Sequence, residues 1–218
     1  MRRILLTTTS TVLLATAAFA ADTPGPLTTP LAQAPAGAYA LEKSHASITF
    51  KVMHMGLAAY TMRFNDFDAA LKLDPAKPEA SSVKVTIDPK SFDSNNPKMT
   101  AHATNADFLD VAKYPAITFV STKVEKLSDK TGKVYGDLTL HGVTKPLVLD
   151  ATFNGGGAHP FFKKHALGFS ATTTIKRSDF GISYGIPMVA DDVQVLIEAE
   201  FLQADAASTK PAAEKAAK

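Results

Sequence analysis

Six histidines are the residues of this chain best suited to proton transfer or metal ligation: His45, His54, His102, His141, His159 and His165. None forms H-x-H or H-E-x-x-H, so no pair carries a metal-site spacing. His45 and His54 are nine residues apart, which places them on opposite faces of a regular strand. Ser44 stands beside His45 without a defined base geometry, and no G-x-S-x-G elbow exists, so a serine nucleophile has no support. The chain has no cysteine, which excludes disulfides, thiolate metal sites and a cysteine nucleophile. Gly155-Gly156-Gly157 does not open a helix in a βαβ unit and reads as a hairpin loop rather than a phosphate cradle. Asp93, Asn95 and Asn96 lack the spaced acidic ligands and terminal glutamate of a calcium loop and read as Asx-type turns. Asp191-Asp192 reads as a solvated hairpin end. These residues give no catalytic group, no metal ligand set and no cofactor site.

The elements that carry them sit in a chain of ordinary globular composition, 45% hydrophobic and 20% charged over 218 residues. Its formal charge is +2, and the excess lies in Arg2 and Arg3. Without them the chain is neutral and has no bulk attraction for nucleic acid or an anionic surface. Arg2-Arg3, a mostly apolar run over 4–17 and Ala18-Phe19-Ala20 have the form of a signal peptide (1–20) cut after Ala20. No other stretch has the roughly 18 apolar residues of a membrane span, so no integral membrane segment is expected. Export to a Gram-negative periplasm follows. Residues 21–36 hold four prolines and read as a spacer. Residues 204–218 are rich in Ala and Lys and read as a disordered tail, which leaves one domain over 37–203.

Within that domain, alternation with a period of two dominates. Ile48-Phe50-Val52, Val83-Val85-Ile87 and Leu138-Leu140 each present one apolar face. Leu147-Leu149-Ala151-Phe153, Leu167-Phe169-Ala171 and Val193-Val195-Ile197-Ala199-Phe201 do the same. Turn residues separate them at Asp74-Pro75, Asp88-Pro89, His141-Gly142 and Asn154-Gly155-Gly156-Gly157. Only residues 97–112 break the pattern, with Asn96 placed to cap a helix and Pro97 at its first position. The fold class is all-β: about eight antiparallel strands, closed into a barrel or packed as a sandwich, with a short helical insertion. A barrel of this size is either filled by side chains or holds one ligand.

Four blocks occur in an order that resembles the YceI-like family of periplasmic polyisoprenoid-binding proteins. They are S-H-A-S-I-T-F-K-V with H-M-G-L (44–52, 54–57), D-F-L-D-V-A-K-Y-P-A-I-T-F (107–119), G-D-L-T-L-H-G-V-T-K-P-L-V-L (136–149) and R-S-D-F-G-I (177–182). The resemblance implies a lipocalin-like antiparallel β-barrel with a long apolar tunnel, no catalysis and no cofactor. Its partner would be an isoprenoid or other long-chain lipid, for transport or storage, and an apolar tunnel mouth would favour a homodimer. Alternation and resemblance together point to Phe50, Val52, Met62, Phe64 and Val85 as lipid-binding. Phe108, Phe119, Leu138 and Leu140 join them, as do Leu149, Phe169, Ile175 and Ile197. Met62 stands where the family commonly has glycine, so it is expected to reshape the tunnel. Arg177 and Asp179 are expected to pair and pin a turn. Two other functions fit the same sequence: an enzyme acting on lipid in this cavity, and a stress-response barrel filled by its own side chains.

Overall fold

A computed structural model describes residues 25–205. The expected signal peptide and nearly all of the expected tail lie outside them. Among these residues, ten strands form one antiparallel sheet: β1 (Gly37–His54), β2 (Ala58–Phe64), β3 (Phe67–Leu73), β4 (Ser82–Ile87), β5 (Phe92–Asp93), β6 (Ile117–Lys126), β7 (Thr131–Leu140), β8 (Val143–Ala158), β9 (His165–Lys176) and β10 (Val189–Gln203). Pairing of β10 with β1 closes the sheet into a barrel and removes its long edges. Eight positions run round the wall. One is shared by β2, which pairs with residues 48–54 of β1, and β3, which pairs with residues 37–40.

β1 runs from the lower end of the barrel to the upper end. A register shift between Glu42 and Ser47 bends it midway, so one strand serves both ends. Asn96 caps the one α-helix among the described residues, α1 (Pro97–Ala103), by accepting from the Lys98 and Met99 amides, and Pro97 occupies its first turn. His141 and Gly142, both at positive φ, make the two-residue turn between β7 and β8. The Tyr114 ring lies 4.3 Å from that of His141, tilted to it by 56°, and occupies the space a Gly142 side chain would need.

The interior divides in two. The upper core joins Ile48, Val52, Met62 and Phe64 to Phe119, Leu138 and Leu140, and Phe180 and Ile182 cover it. The rings of Phe50, Phe64 and Phe92 lie 5.2–6.1 Å apart at its centre. The lower core joins Tyr39, Ala69 and Leu73 to Phe153, Leu167 and Phe201.

Residues 25–36 are not a free spacer. Leu31–Gln33 form a 3-10 turn, Ala34 is buried in the lower core, and Thr29 N donates to Gly156 O at 2.8 Å. A Cβ on Gly155 would collide with the Leu27 carbonyl, so the glycine run is where this segment docks. The prolines do not oppose docking, because side-chain packing and a single ladder-type bond need few N–H groups.

Candidate functional site

The alternation that builds the wall sends every second side chain inward, and the sizes of those side chains differ between the ends. In the lower half Ala69, Ala151, Ala171 and Ala199 face inward and leave a cavity of about 510 Å³. Ala151 and Ala171 are direct partners across β8 and β9, whereas Ala199 pairs with Phe169 and Ala69 with Val85. Ile48, Phe67, Val85, Leu149 and Ile197 line the cavity where it meets the packed upper core. Its lower walls are Leu41, Leu71, Leu73, Phe153, Phe169 and Phe201.

Polar lining is contributed chiefly by the lower rim. Ser81 follows the β3–β4 turn, and Ser128, Asp129 and Lys130 form the β6–β7 turn. Lys126 donates to Asp129 at 2.7 Å, which holds the Asp129 carboxyl below its ordinary value. Thr28, Pro30 and Leu31 of the docked N-terminal segment cross the same rim.

The thirteen expected site residues separate accordingly. Val85, Leu149, Phe169 and Ile197 line the cavity. Val52, Met62, Phe64, Phe119, Leu138 and Leu140 are buried in the upper core, with Phe50 and Ile175 packed against it. Phe108, in the segment after α1, packs against the upper core, its ring 5.0 Å from His102 and 5.2 Å from Tyr184. Met62 pairs with Phe50 on the half of the wall built by β2, above the cavity, and so does not border it. The apolar space is a pocket in one half of the barrel rather than a tunnel along it. Ala151, Ala171 and Ala199 stood on the expected apolar faces but not among the expected lipid contacts. Ala69, in phase with Phe67 and Leu71 on β3, and the docking segment 28–32 were not expected at the site.

Arg177 closes the upper end, but not by pairing with Asp179. It is only 6% exposed, and its guanidinium donates to four carbonyls. Nε reaches Ala190 at 2.9 Å, Nη1 reaches Ile182 at 3.0 Å and Tyr184 at 2.8 Å, and Nη2 reaches Val189 at 2.8 Å. Burial lowers its pKa and the nearby Asp191 carboxylate opposes this. Five donors in a fixed fork suit Arg to gathering a loop's carbonyls, which a carboxylate partner would have pre-empted. Asp191 instead accepts from Ser178 N and Oγ at 2.8 and 2.7 Å.

Among the described residues, one group brings metal-type ligand atoms within 4.8 Å of one another: Glu42, His45 and Glu200. Glu42 and Glu200 face each other across β1 and β10, with His45 Nδ1 2.5 Å from Glu42 Oε2 and 3.8 Å from Glu200 Oε2. Spacing could not show it, because the ligands come from strands at opposite ends of the chain. The Ser44 hydroxyl holds the Glu42 carboxyl below its ordinary value; the Ser44 amide and His45 reinforce it, and burial opposes. By strand alternation the group stands on the outer wall, away from the cavity.

Comparison with known proteins gives one consistent result. The YceI-like domain family matches residues 39–201. The UPF0312 protein of Pseudomonas putida strain F1 is 47% identical over 152 residues, 69% of this chain and 79% of that protein. Among solved structures, the Campylobacter jejuni YCEI protein is 34% identical with a TM-score of 0.65, covering 70% of this chain and 90% of its own. BcnA of Burkholderia cenocepacia is 27% identical with a TM-score of 0.67, covering 73% and 98%. A polyisoprenoid binding domain from Saccharophagus degradans shares the fold at 15% identity, with a TM-score of 0.61 and coverage of 76% and 98%.

Proposed function

The chain belongs to the YceI-like family, and we propose that it is an exported, non-catalytic protein that binds an isoprenoid or similar long-chain lipid in the lower half of its barrel. One observation carries the reading: an apolar cavity of about 510 Å³, with its polar groups gathered at the rim. That volume lies within the range of about 300–1,000 Å³ typical of small-molecule sites. A chain of methylenes or isoprene units gains about 0.8 kcal/mol per buried CH₂, so such a pocket binds without fixed polar contacts inside. The rim residues Ser128 and Lys130 would face the lipid's polar end. Lipid carriage suits a protein between two membranes, and the N-terminal sequence suits cleavage after Ala20 and delivery to the periplasm.

The test is native mass spectrometry of the protein purified gently from its own periplasmic fraction. The expected species starts at Ala21 and carries one lipid. A protein that arrives empty and takes up no polyprenol or quinone would overturn the lipid reading. A species that retains Met1–Ala20 would overturn export with cleavage. Turnover of the bound lipid would show an enzyme instead.

A further inference from the structure

We propose that the β8–β9 loop, His159–Lys164, is a membrane-docking tip that seats the cavity end of the barrel on an anionic phospholipid surface. Its sequence is H-P-F-F-K-K. Phe161 is 81% exposed and Phe162 41%, although apolar rings of this size are usually covered.

The exposure is built rather than frayed. His159 N donates to Lys164 O at 2.7 Å and Lys163 N to His159 O at 3.1 Å, closing the loop on itself. The Phe161 and Phe162 amides both donate to His159 Nδ1 at 3.3 Å. The His159 ring lies 4.6 Å from Phe162, so the aromatic pair is braced from behind. Lys163 and Lys164 follow at once, placing cations beside the rings, the combination that enters the headgroup region of an anionic bilayer. Lys164 also holds Asp205 at 2.9 Å. The chain continues from there with three lysines against one glutamate over 206–218.

Position joins the tip to the cavity. Asn154 and Gly155 line the cavity, and β8 runs on to Ala158 before the loop begins. At about 3.3 Å per residue, the loop starts roughly 10 Å beyond the lining. A tip inserted about 5–10 Å into the interface would hold the rim near the headgroups. The domain is neutral overall, so the attraction is local to this end. The inference names where the proposed lipid would enter and rests on that reading for its purpose. Vesicle binding is measured whether or not the cavity is filled, so its failure would leave the lipid reading intact.

The experiment is co-sedimentation of the mature full chain with vesicles of phosphatidylglycerol and phosphatidylethanolamine, and with phosphatidylcholine vesicles for comparison. Binding to the anionic vesicles is expected. It should fall about tenfold or more in the Phe161→Ser/Phe162→Ser double variant and about fivefold in Lys163→Gln. Leu57→Ser, at an equally exposed residue on the opposite end, should bind as the wild type does. All these side chains are at the surface, and unchanged thermal melting confirms each variant's fold. Equal binding by the double variant, or loss of binding only in Leu57→Ser, would overturn the proposal. So would sedimentation velocity showing that Phe161 and Phe162 drive self-association in the absence of vesicles, because a second copy would then be the occupant.

Discussion

In the upper half of the barrel the inward positions of β1, β2 and β6 carry Phe50, Phe64 and Phe119; in the lower half those of β3, β8, β9 and β10 carry Ala69, Ala151, Ala171 and Ala199. Both halves share one hydrogen-bonded wall and one alternation. Hydrophobicity is therefore not what makes a binding site here. Side-chain volume at inward positions decides which half is solid, and β1, bent at Glu42–Ser47, carries the wall through both. The solid half, sealed by Arg177 and Phe180, would hold the wall's shape while the hollow half exchanges its contents.

The strongest way to break this contrast is to truncate one ring in each half. Phe119→Ala should cost about 3–5 kcal/mol, because the packed core around it cannot collapse fully. Phe169→Ala already borders open space and should cost distinctly less in the same denaturant titration. Equal losses would mean that the lower half is as tightly packed as the upper.

Enlarging alanines sharpens the contrast from the other side. Ala103→Leu, in the buried upper core, should cost about 1–3 kcal/mol through overpacking. Ala171→Leu should change stability little, since the added atoms enter the cavity, while reducing bound lipid in native mass spectra. A large stability loss at Ala171 would show that its side chain does not meet open space.

The docked N-terminal segment offers a smaller effect. Gly155→Ala should displace Leu27–Thr29 and cost about 1 kcal/mol, the worth of roughly one net hydrogen bond. Hydrogen exchange at the Thr29 amide should rise while exchange at Met62 stays unchanged. No change at Thr29 would mean that the segment is held by other contacts.

Much of the fold was legible because alternation is a local property. Ile48-Phe50-Val52 and Val193–Phe201 announce strands with one covered face, and Asn96-Pro97 announces the helix start. The hollow half was not legible, because it depends on which inward residues share a level. Ala151 meets Ala171 only through the β8–β9 register, which shifts between Phe153 and Gly155. Eight of the thirteen expected lipid contacts fell outside the lining for the same reason, because facing inward does not specify height, and the ninth, Phe108, is on no strand. The proline-rich segment misled because its docking partner is a glycine run far away in sequence. Arg177 misled because its acceptors are backbone carbonyls, which no side-chain pattern reveals.

The smallest expected effect concerns pH at the lower end. His165 begins β9, its Nε2 is buried without a partner, and burial lowers its pKa below the ordinary value of about 6.5. The unfolded chain therefore binds this proton more readily than the native one, and stability falls as pH drops through and below about 6.5. His165→Gln should remove that component of the acid loss. An unchanged acid dependence in the variant would assign the loss to other groups.

The most direct test is methyl NMR on methyl-protonated, otherwise deuterated protein loaded with a protonated polyprenol. Ligand contacts are expected to the methyls of Ala151, Ala171, Ala199 and Ile197, and none to Met62 or Leu138. Ligand contacts to Met62 and Leu138, with none to Ala151, Ala171 or Ala199, would place the lipid in the solid half and contradict a site in the hollow one.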